Sequence, residues 1–307
     1  MPDEAAISRF YPSTYYGNGG QKFTAAIELV VGLLANRRIN FLTRGLRQTA
    51  RILDVGCGRG LTLKKLADRG FEVHGLEHSQ HATQGIDERI QVRIARDLQT
   101  AAYPNEHFDL VIIWHVLEHL IDPVATLREA RRILRPSGRL IVAVPNYSSF
   151  QARWTGTGWF HLDLPRHLYQ FPASGLKRLI SAAGFDITAE HHFSLRYNPF
   201  GWVQSVLNQC AWLPRNGLYE LLHQAVPGIP SRFTPTQRLQ FLLAYAIGMP
   251  VGLVMSVFDV FMKQGATIHY VATPLSAIAA TAADHMVSMP KVVPISPTDS
   301  RALDEAL

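Results

Sequence analysis

The sequence ILDVGCGRG occupies residues 52–60 and decides the fold of this chain. It begins as the apolar run of a buried strand, continues as a turn with glycine at every second position, and is followed by a helical pattern over 61–69. Gly70 suits the end of that helix. Because glycine has no Cβ, a ligand can approach the backbone of such a turn closely. The segment therefore predicts a β–turn–α unit with a ligand site at the turn.

Strand and helix patterns alternate on both sides of this unit. Residues 22–44 have the apolar spacing of a helix, Asp122 and Pro123 form the start signal of another, and Ser174 predicts the cap of a third. Further strands are predicted at 71–76, 90–95, 108–114, 139–144, 185–193 and 266–272. This alternation is typical of an α/β fold with a doubly wound, mostly parallel sheet.

Two details of the glycine turn restrict its ligand. A dinucleotide-binding turn has the pattern G-x-G-x-x-G. Here the third glycine is Gly60, one residue early, and Leu61 stands where that pattern places it. Asp54 directly precedes the turn, where its carboxylate would repel a pyrophosphate but suits a cationic ligand end, such as an ammonium beside a sulfonium. The turn therefore disfavours NAD.

Acidic residues also follow the next two predicted strands. Glu77 ends the second strand, where a carboxylate accepts both hydroxyls of a ribose. Asp97 follows the third strand and suits the amino group of an adenine. Because ligands bind at the carboxyl ends of the strands in open α/β sheets, Asp54, Glu77 and Asp97 outline one nucleoside-like ligand with a cationic end.

Several segments together resemble the motifs of class I S-adenosylmethionine-dependent methyltransferases. They are residues 52–60, Glu77, Arg96-Asp97-Leu98, FDLVIIWHVLEH at 108–119 and LRPSGRL at 134–140. The resemblance covers about residues 45–190 and implies a seven-stranded, Rossmann-like sheet with an antiparallel last strand, 266–272. It also implies that S-adenosylmethionine is bound by Asp54, Gly56, Gly58, Glu77, Asp97, Leu98, Trp114 and His115. The most similar subgroup is that of small-molecule enzymes, including ubiquinone-biosynthesis O-methyltransferases and cell-envelope polysaccharide methyltransferases.

Two histidine-rich segments are candidates for the chemistry. If the acceptor is a hydroxyl, a base helps to remove its proton. The candidates are His115, after the fourth strand, and His161, Asp163 and His167 in a segment that resembles a loop over the donor pocket. A polar network that only orders this loop is the alternative. Some relatives hold a metal with acids near His115, but histidine stands at that position here, so no metal is expected.

The stretch 194–265 is apolar and aromatic and shows no strand pattern, which indicates a helical insertion before the last strand. Residues 241–262 are almost uncharged and just long enough to cross a bilayer, which needs about 20 apolar residues. Gly248-Met-Pro250 falls near the middle and predicts a helical hairpin of two shorter pieces. Four roles stay open for this stretch: core packing, a dimer face, membrane-surface contact through 199–262, and a true span. Membrane contact would suit a lipid-linked acceptor.

These features divide the chain into five parts. Residues 1–45 are expected to form a helix and a lid, because relatives cover the donor with an N-terminal tyrosine segment such as Tyr11–Tyr16. Residues 46–193 form the donor-binding core, 194–265 the insertion, and 266–273 the last core strand. The alanine-, serine- and proline-rich residues 274–307 are expected to be a mobile tail.

Composition restricts location and partners. A net charge of +6 permits an acidic substrate or an anionic surface, but no basic-aromatic stripe indicates nucleic acid. The two cysteines and the absence of a secretory signal at the N-terminus favour a cytoplasmic protein, peripheral to the membrane if it binds one. A homo-oligomer stays open. The sequence therefore predicts methyl transfer, with O-methylation favoured, to a small or lipid-linked acceptor; an NAD-dependent oxidoreductase and a non-catalytic scaffold are the alternatives.

Overall fold

A seven-stranded mixed sheet organises the protein. The computed structural model describes residues 36–223 and 232–275. The strands are β1 Arg51–Val55, β2 Glu72–Glu77, β3 Gln91–Ile94, β4 Phe108–Trp114, β5 Leu134–Pro145, β6 Phe185–His191 and β7 Thr267–Pro274. Their order is β3-β2-β1-β4-β5-β7-β6, and β7 runs antiparallel to both of its neighbours. The predicted doubly wound, Rossmann-like fold with an antiparallel last strand is confirmed.

The helices of the described residues flank this sheet or follow β6. They are α1 (36–43), α2 Leu61–Ala67, α3 Pro123–Ile133, α4 Phe150–Thr155, α5 Ala173–Ala182, α6 Asn198–Leu207, α7 Gly217–His223 and α8 Pro235–Phe261. Side chains of α1 and α2 pack on one face of the sheet, and those of α3 and α5 pack on the other. Both faces of the central strands are therefore buried, as their continuous apolar sequences predict.

Local sequence signals explain where most elements begin. Asp122 caps α3 by accepting a hydrogen bond from the backbone N–H of Ala125 at 2.8 Å, and Pro123 follows at the first helical position. The cap predicted at Ser174 is wrong, because α5 already begins at Ala173 after Pro172. Pro172 at the N-cap has no side-chain acceptor, and the N–H of Ala173 donates instead to the Ser148 hydroxyl at 3.1 Å.

The predicted helical hairpin over 241–262 is wrong, because α8 is one continuous helix of 27 residues through Pro250. Thr234 and Gln237 form a capping box at its start, with Pro235 at the first turn. Proline costs an interior helix one backbone hydrogen bond. Phe241, before the proline, packs in one apolar cluster with residues of α6, and Gly252, after it, packs against α6. These contacts keep the helix continuous through Pro250.

The apolar insertion lies within a connection between adjacent antiparallel strands. His191 of β6 and His269 of β7 are register partners, so the chain leaves and re-enters the sheet at nearly the same place. Between these strands the described residues contain helices and no strand. Of the predicted helix over 22–44, residues 36–43 form α1, and residues 22–35 lie outside the described residues together with the tyrosine lid. Of the predicted tail over 274–307, Pro274 still belongs to β7, and the residues from 276 onward lie outside the described residues.

Candidate functional site

The glycine turn after β1 forms an open cradle. Gly56, Gly58 and Gly60 have φ values of 72°, 52° and 67°, a region that side-chain-bearing residues rarely adopt. A Cβ on Gly56 would lie 2.5 Å from the Val116 side chain, whereas a Cβ on Gly58 would meet nothing within 4 Å. Gly56 is thus required by packing, and Gly58 leaves a space in which a Cβ would obstruct a ligand.

Two opposite charges stand beside this cradle, the buried Asp54 and the half-buried Arg38. Asp54 is 5% exposed, and burial raises the pKa of its carboxyl to about 6 against the opposing effect of Arg38. The Arg38 guanidinium lies 4.2 Å above the Trp114 ring, and its Nε is buried without a hydrogen-bond partner among the described residues. Burial also lowers the pKa of Arg38, although Asp54 opposes that shift. The pair can receive a ligand end that carries both an ammonium and a carboxylate.

Glu77 is held against the turn by backbone groups. Its Oε2 accepts a hydrogen bond from the Gly58 N–H at 2.8 Å, and its Oε1 accepts from the N–H groups of His78 and Ser79. These donors fix the carboxylate at the carboxyl end of β2, next to the cradle. A carboxylate oxygen has further lone pairs, so hydroxyl groups of a ligand can still donate to it.

The side chains of Asp97 and Leu98 are both occupied within the protein. The Asp97 carboxylate accepts from the Thr100 N–H at 2.7 Å and from Arg96 Nε at 3.1 Å, so it already orders the turn after β3. The Leu98 side chain is 1% exposed and belongs to the core. A ligand at this position would meet the backbone of Leu98 rather than its side chain.

The end of β4 places His115 between a carboxylate and an aromatic ring. His115 has a φ of 53°, its Nδ1 lies 3.3 Å from Glu118 Oε1, and its ring centroid lies 4.3 Å from that of Tyr197. Its Nε2 is buried and has no hydrogen-bond partner among the described residues. Burial would raise the pKa of Glu118, but hydrogen bonding to His115 and nearby histidines outweigh it and lower the pKa to about 2. Glu118 is therefore a carboxylate at neutral pH.

The two histidine-rich segments of the sequence meet in one cluster. His119 Nδ1 lies 3.0 Å from the carbonyl of Arg166, and the His119 and His167 rings are 4.6 Å apart. The backbone N–H of Leu168 donates to the carbonyl of Glu118 at 2.8 Å. These contacts fix the loop after β5 on the end of β4.

Within that cluster, His161 and His167 are poorly suited to accept a proton. Burial lowers the pKa of His161 to about 3 and that of His167 to about 4. His167 Nδ1 lies 2.9 Å from the carbonyl of His161, which holds the loop together. Asp163 forms an ion pair with Arg166, so both side chains are engaged within the loop. Neutral, buried imidazoles with such low pKa values are weak bases.

Glu118, His119 and His167 also have the composition of a metal site. Their potential ligand atoms all lie within 4.8 Å of one another. Carboxylate and imidazole groups suit several divalent metals. The sequence-based expectation of no metal stays a prediction.

A cavity of about 690 Å³ extends from Arg38 and Trp114 toward the insertion. The end of β6 and the following residues, including Tyr197, form one wall. His269 of β7 lines it as well, and Val260 and Lys263 at the end of α8 close its far side. The cavity therefore reaches from Arg38, one member of this charge pair, to the end of the apolar helix.

Residues that sequence reasoning missed are Arg38 and Glu118. Arg38 lies within a predicted helix, and no sequence pattern assigns a partner to it. Glu118 lies in a short 3-10 turn, and its carboxylate faces His115. The HVLEH sequence placed the two side chains near each other, yet only the fold shows their contact.

The sequence and the fold place the chain among known proteins. Residues 31–190 match the family described as "Methyltransferase domain". A ubiquinone biosynthesis O-methyltransferase of Cereibacter sphaeroides is 30% identical over 176 residues, 52% of this chain and 68% of the relative. The chain belongs to the methyltransferase domain family. It is a class I S-adenosylmethionine-dependent methyltransferase, as the sequence predicted.

Solved structures agree with this fold assignment. Phosphoethanolamine N-methyltransferase 2 of Haemonchus contortus, in complex with phosphomonomethylethanolamine and S-adenosylhomocysteine, superposes with a TM-score of 0.55. It is 14% identical and the match covers 90% of this chain and 61% of that one. A SAM-dependent methyltransferase from Archaeoglobus fulgidus gives a TM-score of 0.50 at 20% identity, over 84% of this chain and 99% of that one. At these identities the likeness concerns the fold.

Proposed function

We propose that the protein transfers the methyl group of S-adenosylmethionine to a hydroxyl of a small or lipid-linked acceptor, with His115 as the base. The observation that carries this proposal is the contact between the half-buried His115 and the buried Glu118 at the end of β4. Its relatives named as ubiquinone biosynthesis O-methyltransferases support oxygen as the accepting atom.

The chain's own groups match the chemical parts of the methyl donor. Asp54 and Arg38 would hold the ammonium and carboxylate of its amino-acid end, since these opposite charges interact with each other beside the cradle. Glu77 would accept the ribose hydroxyls, and Gly58 leaves room for the close approach. Asp97 and the backbone of Leu98 would bound the adenine. Bound there, the donor supplies a methyl group already activated by its sulfonium.

The protein then has to align the acceptor and remove its proton. The His115 Nε2 would accept that proton, while Glu118 holds the Nδ1–H and stabilises the positive charge that forms on the ring. Because Glu118 is ionised at neutral pH, this stabilisation is present under physiological conditions. His161, Asp163 and His167 would position the loop over the site rather than exchange the proton themselves.

The cavity beside the charge pair would receive the acceptor. Its walls combine Trp114, Tyr197 and His269 with the end of α8, so an amphiphilic molecule could place a polar head near His115 and an apolar tail toward the helix. A lipid-linked acceptor would bring the protein to a membrane surface, with contact through 199–262. The protein would then be cytoplasmic and peripheral on the inner face of the membrane.

Two experiments test this function. Calorimetry with S-adenosylmethionine and with NAD is expected to show binding of the first alone; no binding of S-adenosylmethionine would refute the proposal. In the second experiment the protein is incubated with labelled donor and with membrane lipids or glycolipid intermediates from the organism that produces it. We expect a lipid fraction to become labelled. A labelled methyl group that survives alkaline hydrolysis and is found on oxygen identifies a methyl ether. A labelled methyl group on nitrogen would contradict O-methylation.

A further inference from the structure

The polarity of α8 is the reverse of that of a helix on an aqueous protein surface. Its inward face carries Gly248, Gly252 and Ser256 at every fourth position, followed by the buried Asp259. Its outward face carries large apolar side chains. Ile247 and Val254 are each 68% exposed and Phe261 is 84% exposed. In water an amphipathic helix normally buries its large apolar side chains and exposes its polar ones.

The small residues of the inward face allow close packing between helices. A Cβ on Gly252 would lie 2.6 Å from the carbonyl oxygen of Pro199 in α6, and one on Gly248 would lie 3.0 Å from the Val203 side chain. Small residues at every fourth position are typical of helix pairs in membranes, where backbone approach replaces the packing of large side chains. Trp202 of α6 completes the contact by donating its indole N–H to Asp259 at 2.8 Å.

The contacts of α8 also fix its orientation. Phe241 near its start packs in one apolar cluster with Leu218 of α7 and Val203 of α6, and Asp259 near its end is bonded to Trp202. These contacts extend over about 27 Å of the helix, at 1.5 Å per residue. One side of α8 is therefore covered by the protein along its length. A helix covered in this way is not surrounded by lipid and lies along the surface.

The surroundings of α8 favour hydrocarbon chains rather than a protein partner. A groove of about 470 Å³ between α4, α6 and α8 is lined only by apolar side chains and glycines, among them Trp154, Val206 and Val251. Among the side chains of this groove only the tryptophan indoles carry a hydrogen-bonding group, so it offers little to a polypeptide backbone but suits an acyl chain. Arg238 near the start of α8 and Lys263 just after its last residue are both exposed, so anionic headgroups could meet them at the two ends of the helix.

We propose that α8 lies in the plane of a membrane interface, with its outward face among the acyl chains and one chain in the groove beside it. The helix is 27 residues long, its most apolar 18-residue window has a mean hydropathy of 2.1, and only 17% of that window is buried by the protein. Core helices of similar composition are mostly buried, so the exposed surface needs another cover. This inference deepens the membrane contact of the proposed function but does not depend on methyl transfer.

Flotation with vesicles tests the docking surface. The wild-type protein is expected to float with vesicles of phosphatidylcholine mixed with phosphatidylglycerol. Val254→Asp and Ile247→Asp are each expected to reduce partitioning about tenfold or more, because a carboxylate would enter the acyl region. Ile121→Asp is the matched control, since Ile121 is 51% exposed but lies away from α8. Equal flotation of all four proteins, or no flotation of the wild type, would overturn the proposal.

Depth measurement separates an in-plane helix from a span. Leu243 and Phe261 lie on one line of α8, five turns and about 27 Å apart. A spin label at Leu243→Cys and at Phe261→Cys, each in a Cys210→Ser background, is expected to report similar depths in vesicles. Burial raises the pKa of the Cys57 thiol, which keeps it unreactive toward the label. A depth difference that approaches the full separation would show a span and refute the in-plane arrangement.

A second copy of the chain is the competing occupant. Sedimentation without lipid distinguishes it: a stable dimer that Val254→Asp dissociates, combined with absent vesicle binding, would assign this face to self-association. The proposal expects Val254→Asp to remain folded and to bind S-adenosylmethionine with unchanged affinity in calorimetry. Loss of S-adenosylmethionine binding by the wild type would refute the proposed function while leaving the flotation result to decide this inference.

Discussion

At Asp54, ligand binding and stability make opposite demands. The carboxylate is nearly inaccessible to water, and burial raises its pKa to about 6 from an ordinary value of 3.8. Its ionised form is therefore unfavourable in the ligand-free protein, although Arg38 lies close enough to offset part of that cost. A ligand ammonium would remove the remaining cost, so the same group that weakens the free protein would strengthen the complex.

Asp54→Asn tests this opposition through pH. Since the folded-state pKa is raised, the wild-type stability from this group is complete below about pH 3.8 and is lost as pH rises through about 6. The free energy of unfolding of the Asn variant relative to the wild type is expected to increase over that range by about 1–3 kcal/mol. Denaturant titrations of both proteins at several pH values measure it, and a difference independent of pH would contradict the raised pKa.

Donor affinity is expected to follow the same titration in the opposite direction. Wild-type affinity for S-adenosylmethionine should rise as pH increases through about 6, because the ionised carboxylate binds the ammonium. Asp54→Asn should bind the donor at least about 100-fold more weakly at neutral pH, because a buried charge would lose its partner. Calorimetry across this pH range, with Asp186→Asn on exposed β6 as the control, checks both effects.

His115 and Glu118 should affect turnover more than donor binding. His115→Ala is expected to lower kcat about 100- to 10,000-fold, the usual contribution of a general base. Glu118→Gln keeps the shape of the side chain but removes its charge, so a smaller loss and a changed pH–rate profile are expected. His167→Gln is the comparison, because its low pKa of about 4 points to a positioning role. Unchanged turnover of His115→Ala would exclude it as the base.

Sequence reasoning located some of these residues and not others. Asp54 and Glu77 follow directly from the ends of two strands, because strand polarity alone brings them to one edge of the sheet. The partner of Asp54 is Arg38, which comes from a helix on the sheet face, so a long-range contact had to be seen. The preference for His115 over His161 depends on burial, which sequence does not measure.

At the scale of elements, the glycine turn contains positions with different tasks. Gly58→Ala is expected to weaken S-adenosylmethionine binding about tenfold or more while costing about 1 kcal/mol of stability, since only its φ of 52° is unfavourable. Gly56→Ala should destabilise the protein more, because its methyl group would also clash with Val116 at 2.5 Å. Thermal unfolding and calorimetry separate the effects; equal destabilisation by both variants would contradict this division.

The helix α8 shows why a sequence pattern can misplace the end of an element. Pro250 predicted a break, because proline disfavours helix interiors in water. Because Pro250 has no N–H, the Ala246 carbonyl has no helical hydrogen-bond donor. In the folded protein both residues lie on the outward face of α8. Contacts on the inward face hold the segments before and after them on the same neighbours. The strands β1 and β4, by contrast, were predictable because their apolar runs are bounded by a glycine turn and by His115.

The close contact between α6 and α8 reverses an ordinary helix rule. Alanine in place of a helical glycine usually stabilises a protein by roughly 1 kcal/mol. Gly252→Ala is instead expected to destabilise this protein by about 1–3 kcal/mol, because the Cβ would lie 2.6 Å from the Pro199 carbonyl. Ala246→Leu on the outward face is the control and should leave stability unchanged. Denaturant unfolding measures both, and a stabilised Gly252→Ala would refute the packing argument.

At the scale of the whole molecule, one cavity extends from the sheet to the end of the apolar helix. The insertion replaces a short connection between β6 and β7, so it begins and ends beside the carboxyl ends of the parallel strands. Val260 and Lys263 at the end of α8 also line the cavity that reaches Arg38. A molecule held by its tail at α8 would therefore have its head directed toward the donor site.

The net charge of +6 gives membrane contact a component that salt should weaken. Partitioning of the wild type onto phosphatidylglycerol-containing vesicles is expected to fall with rising salt to a residual level set by the apolar face. Binding to pure phosphatidylcholine should change little. Arg238→Gln should lower partitioning onto the anionic vesicles about fivefold at low salt, corresponding to roughly 1 kcal/mol for one basic residue near the surface.

Arg128→Gln on α3 is the matched control, because it removes the same charge from an exposed position on another helix. Flotation over a salt series with the three proteins and both vesicle types measures the two components separately. If Arg238→Gln and Arg128→Gln lower binding equally, the attraction comes from overall charge and not from the ends of α8. If salt abolishes binding completely, the apolar face does not enter the membrane, because burial of uncharged side chains is not screened by ions.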